Sequence, residues 1–270
     1  MTSSATDAAR DANDSEWLDR LARVGLVALG VVHLVLAWLM ITLALGDREG
    51  SATSEGAMRQ LADTPLGAGL VWAVAIGLFL LALWQGLEAA VGHRDADGTT
   101  RLRKRAVSAG KAVVYVVIGA SGVSVATGSG GGGDGTKTWT ARLLDAPGGQ
   151  VLVALVGLAV IGVGVALLVY AWREKYLKHL DGQGRSGDTG TAYRWLGRIG
   201  HVAKGLALGA VGALFLHAAA THEADKSGGL DQALRRLLDA TGGPALVIAV
   251  GLGFGAYGLF CFAWSRHLDR

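Results

Sequence analysis

The sequence predicts an all-α membrane protein whose six transmembrane helices form three parallel-repeat helical hairpins around a pseudo-threefold axis. Of the 270 residues, 51% are hydrophobic and 17% are charged, so the charged residues must be segregated from the apolar segments. Six apolar runs of about 20 residues or more are each long enough to cross a hydrocarbon core of ~30 Å as a helix. They lie at about 24–45, 66–91, 106–127, 150–172, 199–220 and 244–264.

The apolar runs are continuous rather than alternating in polarity, which excludes a transmembrane β-barrel. Helices also satisfy their own backbone hydrogen bonds in lipid, whereas open sheets do not. Residues 1–16 form a polar tail of mixed charge, not a cleavable signal peptide, so the first run is predicted to act as an uncleaved anchor. The only cysteine, Cys261, excludes an intrachain disulfide and a multi-cysteine metal site.

The chain contains one two-span unit three times. Each unit begins with an arginine and contains, 40 or 41 residues later, an aspartate that precedes the second span. The arginines are Arg23, Arg105 and Arg198, and the aspartates are Asp63, Asp145 and Asp239. Since two spans return the chain to its starting side, the units share one orientation. The predicted repeats cover 17–94, 101–180 and 193–270, with a polar linker at 181–192.

Each loop within a unit contains a short amphipathic segment before the second span, and the pattern of the third segment is typical of a helix that lies in the membrane interface. These segments are Ala57–Leu61, Thr138–Leu144 and Leu230–Leu238. The three prolines lie at the starts of the even-numbered spans, where the first helical turn tolerates them. Small residues spaced four apart, such as Gly205 and Gly209, predict close helix packing in lipid.

The basic residues predict the orientation. Of the 25 Lys and Arg residues, 18 lie in or beside the segments on the side of the chain termini, and 7 lie in the other three loops. The positive-inside rule therefore places both termini in the cytoplasm. The same bias explains the net charge of +3 without nucleic acid as a partner.

The repeated charges are candidate functional positions with two interpretations each. The three aspartates are predicted to cap the helices that follow them, and the alternative is a ring that attracts cations. The three arginines are predicted to set topology and contact lipid headgroups. Together with Lys111 and Lys204, whose side chains can reach the interface, they would alternatively form a cationic collar that binds phosphate or selects anions.

Three further residues within the spans are candidate functional positions. Glu88 is expected to pair with a nearby cation, and its equivalents in the other units are Tyr170 and Trp264. His33 and His217 differ by nine helical positions in depth, roughly 13 Å, so one haem cannot use both as axial ligands. A hydrogen-bonded histidine in the interior or at the interface is the expectation for each. No cofactor, metal site or nucleophile–base pair is predicted.

The chain resembles a family of uncharacterised bacterial six-span membrane proteins built from a triplicated hairpin domain of unknown function. The resemblance covers about 17–268 and rests on short motifs in the first span of each unit. They are Arg23-Val-Gly25 with Gly30-Val-Val, Lys111-Ala-Val-Val-Tyr115, and Arg198-Ile-Gly200 with Lys204-Gly205. His33 and Leu208 depart from the tyrosine expected at the position of Tyr115. The resemblance implies the fold and a location in the bacterial cytoplasmic membrane, but no activity.

The sequence favours a non-catalytic scaffold or accessory subunit, because the spans are rich in small residues, unbroken by proline, and predicted to hold no polar cluster at the membrane midplane. The alternative is a pore or carrier for ions or small solutes along the pseudo-threefold axis, with aspartates outside and Arg and Lys inside. Membrane lipid is an expected partner. A protein partner, a second copy of the chain, and a small solute or ion all stay open.

Overall fold

The computed structural model describes residues 16–46, 52–63, 67–92, 98–128 and 135–268. The predicted N-terminal tail lies outside these ranges up to residue 15. Six of the described helices are long and apolar enough to span a membrane. They are α1 (Glu16–Ala44), α3 (Gly67–Ala90), α4 (Gly98–Ala126), α6 (Gly149–Trp172), α7 (Gly187–Thr221) and α9 (Gly243–Arg266).

The loop within each repeat contains a short helix at its amphipathic segment. These helices are α2 (Ser54–Ala62), α5 (Gly135–Leu144) and α8 (Leu230–Leu238). They lie at one end of the bundle, which we call the loop-helix face. The opposite end, where α1, α4 and α7 begin and α3, α6 and α9 end, is the terminal face.

Two spans are longer than their apolar runs. α4 begins at Gly98 and α7 at Gly187, so each helix continues through charged residues before it enters the apolar segment. The 35 residues of α7 would extend about 52 Å, compared with a hydrocarbon core of ~30 Å. The N-terminal turns of α7 therefore project beyond the membrane at the terminal face.

The loop-helix half of the bundle is filled with apolar side chains. Met40 of α1, Met58 of α2 and Leu234 of α8 are all buried. The backbone N–H of Ala52 also donates a 2.9 Å hydrogen bond to Asp231, which connects the first and third repeats at this face. The first and third repeats therefore meet at this end of the bundle.

The tightest helix pairs join different repeats. α1 packs on α9, α3 on α4, and α6 on α7, while α1 with α3 and α7 with α9 are the packed pairs within a repeat. The spans therefore form a ring of three related units, which confirms the predicted fold class.

Glycines at equivalent positions allow the contacts between repeats. A Cβ on Gly30 would lie 3.0 Å from the carbonyl oxygen of Gly258, and a Cβ on Gly205 would lie 2.8 Å from that of Gly164. These distances leave no room for a side chain, so the backbones approach closely, as small residues permit in lipid. Gly209, which was expected to contribute, faces open space instead.

The second repeat breaks the symmetry. In the first repeat, a Cβ on Gly25 would lie 2.7 Å from the Cβ of Leu81. In the third, a Cβ on Gly200 would lie 2.6 Å from the Cβ of Tyr257. The equivalent residue of the second repeat is Val107, whose side chain is 54% exposed, and α4 and α6 barely touch. We call the gap between α4 and α6 the open seam.

The predicted capping role of the aspartates is wrong. Asp63 and Asp239 are the C-cap residues of α2 and α8, so they end the loop helices instead of starting the spans. The N-cap residues of α6 and α9 are Gly148 and Gly242, with φ of 74° and 75°. A sharp turn between each loop helix and its span needs this left-handed backbone, which glycine adopts without strain.

Candidate functional site

A group of polar side chains surrounds the Tyr257 ring inside the bundle. The ring of His33 lies 4.6 Å from it and that of His201 lies 5.2 Å from it, measured between centroids. The ammonium nitrogen of Lys204 lies 3.7 Å from the Tyr257 centroid, in cation–π contact. Cys261, which is fully buried, lies four residues after Tyr257 on the same face of α9. These five residues, from α1, α7 and α9, form what we call the polar core.

The backbone determines the tautomer of both histidines. Nδ1 of His33 lies 2.8 Å from the carbonyl oxygen of Leu29, and Nδ1 of His201 lies 2.6 Å from that of Gly197. A carbonyl oxygen only accepts hydrogen bonds, so each Nδ1 carries the proton when the ring is neutral. Nε2 of each ring is then an acceptor.

Lys204 is a cation without a carboxylate. It is half-buried in α7, and none of the described residues forms an ion pair with it. Its charged neighbour is Lys111 of α4, a second cation. A charge of this kind is costly in a membrane unless an opposite charge or a dipole compensates it. The Tyr257 ring compensates it in part, since a desolvated cation–π contact contributes about 2 kcal/mol.

Two buried indoles lack hydrogen-bond acceptors. The Nε1 atoms of Trp84 in α3 and Trp264 in α9 have no partner among the described residues, although both side chains are over 90% buried. Their ring centroids are 6.5 Å apart. Trp264 also lies 6.2 Å from Phe260, which packs on both His201 and Tyr257. The indoles thus continue the polar core toward the terminal face.

A 3₁₀ segment after α6, Lys175–His179, covers the polar core at the terminal face. The Tyr176 ring is fully buried and stacks on His201 at 5.2 Å, and its hydroxyl donates to the carbonyl oxygen of Arg194 at 2.6 Å. Burial, together with the Glu174 carboxylate, raises the pKa of Tyr176 to about 12. The segment is fastened to the end of α9 by the backbone N–H of Asp181, which donates to His267 at 2.8 Å.

His179 makes the stability of this segment depend on pH. Its ring lies 4.8 Å from Trp264, and burial, followed by the Lys111 and Lys178 charges, lowers the pKa of His179 to about 4. The unfolded histidine, with a pKa near 6.5, binds a proton more readily than the folded one, so folding favours the neutral ring. The stability that this ring contributes is complete above about pH 6.5 and is lost as the pH falls toward 4.

His179→Gln is expected to weaken the acid dependence of stability. The wild-type unfolding midpoint in detergent should fall between pH 6.5 and 4, with this histidine contributing on the order of 1–3 kcal/mol. In the variant the fall should be smaller. His222→Gln, which changes an exposed histidine at the loop-helix face, is the control and should follow the wild type. An identical pH profile for wild type and His179→Gln would contradict the assignment.

The open seam exposes one edge of the polar core. Lys111 of α4 is exposed, yet it lies within electrostatic range of Lys204, His201 and His179. The Glu88 carboxylate of α3 also acts on Lys111, so Glu88 lies near a cation, as its sequence position suggested. Because α6 does not close over α4, the seam gives a path to this edge of the core.

The other candidate positions do not join this site. Arg23 and His217 are exposed on the bundle surface, and Arg105 donates from Nε to the carbonyl oxygen of Gly92 at 3.4 Å. Arg198 lies over the rings of Trp172 and Trp195. The three aspartates are exposed at the loop-helix face. The structure therefore brings together Lys204, Lys111, His33 and Glu88 and leaves the rest apart.

The sequence predicts no polar cluster at the membrane midplane, and the polar core lies away from that level. The polar core lies between the membrane midplane and the terminal face, since Tyr257 is 14 residues from the start of α9, about 21 Å along it. His201, Trp84 and Tyr257 were missed as site residues. One signal was available: His201 and Lys204, three residues apart, share one face of α7, as Tyr257 and Cys261 share one face of α9.

Comparison with known proteins identifies the family. A family model described as Domain of Unknown Function (DUF1206) matches three times, at residues 24–92, 106–174 and 199–267. The chain is also 28% identical over 246 residues to "Uncharacterized protein YxxB" of Bacillus subtilis (strain 168), which covers 90% of this chain and 89% of that protein. No solved structure gives a significant match. The chain therefore belongs to the DUF1206 family and carries three copies of its domain.

Proposed function

We propose that the chain is a non-catalytic membrane carrier that binds a small organic anion at the polar core. The observation that supports this most directly is an excess of hydrogen-bond donors. The Lys204 ammonium and the indole N–H groups of Trp84 and Trp264 have no carboxylate or other acceptor among the described residues. A bound carboxylate would supply both the negative charge and the acceptors, and so remove the cost of burying these groups.

The remaining groups of the polar core limit the class of anion. The Nε2 atoms of His33 and His201 accept hydrogen bonds, so they suit a ligand that also carries a hydroxyl or N–H group. The walls are aromatic and favour a ligand with an apolar part. A small hydroxycarboxylate has a negative charge, a hydroxyl donor and an apolar part. A bare inorganic anion supplies only the negative charge.

A carrier has a state in which its binding site is open to one side of the membrane only. The loop-helix half is filled with apolar side chains such as Met40 and Met58, which argues against a continuous pore along the axis. Lys111 connects the polar core to the open seam near the terminal face. We infer from the positive-inside rule that this face is cytoplasmic in the bacterial cytoplasmic membrane.

The test is binding followed by transport. Purified protein is heated with the sodium salts of lactate, malate, benzoate and phosphate, and any anion that raises the unfolding midpoint is offered as a radiolabelled solute to proteoliposomes. Lys204→Met should raise the apparent Kd of the best anion by about tenfold or more, because it removes a charge-assisted hydrogen bond. Lys226→Met is the matched control, since Lys226 pairs with Glu223 at 3.7 Å in the loop between α7 and α8.

A scaffold or accessory subunit is the second candidate function. The close glycine contacts between repeats, such as that of Gly30 with Gly258, support a rigid ring suited to holding a partner. If none of the four anions stabilised the protein or entered proteoliposomes, the carrier would be wrong. A protein partner, or a second copy, that co-purifies stoichiometrically would then favour the scaffold.

A further inference from the structure

Arg198 occupies an unusual setting on the lipid-facing surface. Its guanidinium carbon lies 5.0 Å from the ring centroid of Trp172 and 5.8 Å from that of Trp195. The side chain is half-buried and forms no ion pair with any residue in the described ranges. Its neighbour Arg194, in contrast, pairs with Glu174 at 3.5 Å. The two indoles therefore hold the guanidinium in place without neutralising it.

The depth of Arg198 matches the level of lipid headgroups. Arg198 precedes Thr221, the last residue of α7, by 23 residues, about 35 Å along the helix. A hydrocarbon core of ~30 Å leaves Arg198 at the polar boundary on the terminal side. Trp172 and Trp195 are 76% and 55% exposed, as indoles at a membrane interface are.

An apolar groove runs from Arg198 toward the membrane interior. It has a volume of about 290 Å³ and lies between α7 and α9. Ile199 and Leu206 of α7 line one side, Val250 of α9 lines the other, and Arg198 stands at its polar end. Gly253 forms part of the floor, because a Cβ there would lie 2.2 Å from that of Ala203. The groove thus offers an acyl chain a continuous apolar surface.

We propose that this surface is a binding site for one anionic diacyl phospholipid, with its phosphate on Arg198 and an acyl chain in the groove. The planar guanidinium presents paired N–H donors that match phosphate oxygens. Apolar contact alone cannot select a lipid, since lipid tails are as apolar as the groove. Selectivity therefore comes from the headgroup charge at Arg198, and the site is separate from the polar core.

The other repeats supply an internal comparison. Trp195 corresponds to Arg20 in the first repeat and to Leu102 in the second. Trp172 corresponds to Ala90 at the end of α3 and to Arg266 at the end of α9, so neither equivalent helix end supplies an indole. Among the residues that the structure describes, Arg198 is the one of the three arginines that begin the repeats that contacts two indoles. Arg23→Ala therefore removes the same charge from the same repeat position without touching the proposed site.

Native mass spectrometry with added lipid tests the site. The delipidated protein is titrated with phosphatidylglycerol and, in parallel, with phosphatidylcholine. Wild type should retain one phosphatidylglycerol more tightly than the rest, and Arg198→Ala should raise its apparent Kd by about tenfold, whereas Arg23→Ala should leave it unchanged. Arg198→Lys, which keeps the charge but not the planar fork, should retain a weaker preference for phosphatidylglycerol.

Three results would overturn the proposal. The first is equal retention of the two lipids by the wild type. The second is an unchanged phosphatidylglycerol affinity in Arg198→Ala. The third is an equal loss in Arg198→Ala and Arg23→Ala, which would reflect total charge instead of a built site. If Arg198→Ala did not fold, the comparison of Arg198→Lys with wild type would decide the question.

Discussion

Gly200→Val is expected to lower the unfolding free energy by about 1–3 kcal/mol or more. A Cβ at this position would lie 2.6 Å from the Cβ and 2.7 Å from the Cα of Tyr257, so the obstacle is backbone that a rotamer change cannot move aside. α9 would have to separate from α7, which would also displace the polar core. The midpoint of thermal unfolding in detergent, followed by circular dichroism, measures the effect.

Gly209→Val on the same helix is the matched control. A Cβ built on Gly209 would meet no atom of another helix within 4 Å, so a valine there has open space where Gly200 has none. The two variants share the same change in helix propensity, and their difference isolates packing against α9. Equal unfolding midpoints for Gly200→Val and Gly209→Val would show that the contact between α7 and α9 does not limit stability.

Tyr257→Ala is expected to be the most damaging change in the polar core, at about 3–5 kcal/mol. The ring contacts His33, His201 and Lys204, and its loss would leave a cavity beside a cation that forms no ion pair with any described residue. Both the unfolding midpoint and the yield of monodisperse protein should fall.

Tyr257→Phe separates the ring from its hydroxyl. Phenylalanine keeps the aromatic face under Lys204 and loses only the hydroxyl, so its effect should stay near 1 kcal/mol. If Tyr257→Phe were as harmful as Tyr257→Ala, the hydroxyl would dominate and the cation–π argument would fail. The order of the two variants therefore reports which part of the side chain stabilises the core.

The architecture could be predicted because each of its signals is local in sequence. Span length follows from continuous apolar runs, and the repeat follows from the constant spacing between residues such as Arg23 and Asp63. The role of the aspartates could not be assigned in this way. Asp239 lies between two helices, and its position alone does not decide whether it ends α8 or starts α9. The left-handed Gly242 decides it, by taking the N-cap place itself.

The polar core could not be predicted in full because His33 comes from the first repeat and the other four members come from the third, while the adjoining indoles come from two repeats. Trp84 and Trp264 meet only after α3 and α9 take their places in the ring, and each alone is typical of a packing residue. Positions at which the three repeats differ nevertheless point toward the polar core. Lys204 and Lys111 are equivalent, but the first repeat has Leu29 there, so this pair of cations departs from threefold symmetry. Such differences between repeats indicate positions whose tertiary contacts are specific to one repeat.

Val107, which stands where the other two repeats have glycine, shows an advantage of joining the three repeats in one chain. If the same ring were assembled from three identical hairpins, a valine at this place would open every hairpin, and a glycine would close them all. Joining the three copies in one polypeptide lets a single hairpin differ. The protein can therefore have one lateral opening, between α4 and α6, and two hairpins whose helices pack closely. A symmetric trimer cannot have a single lateral opening, because all three of its hairpins are identical.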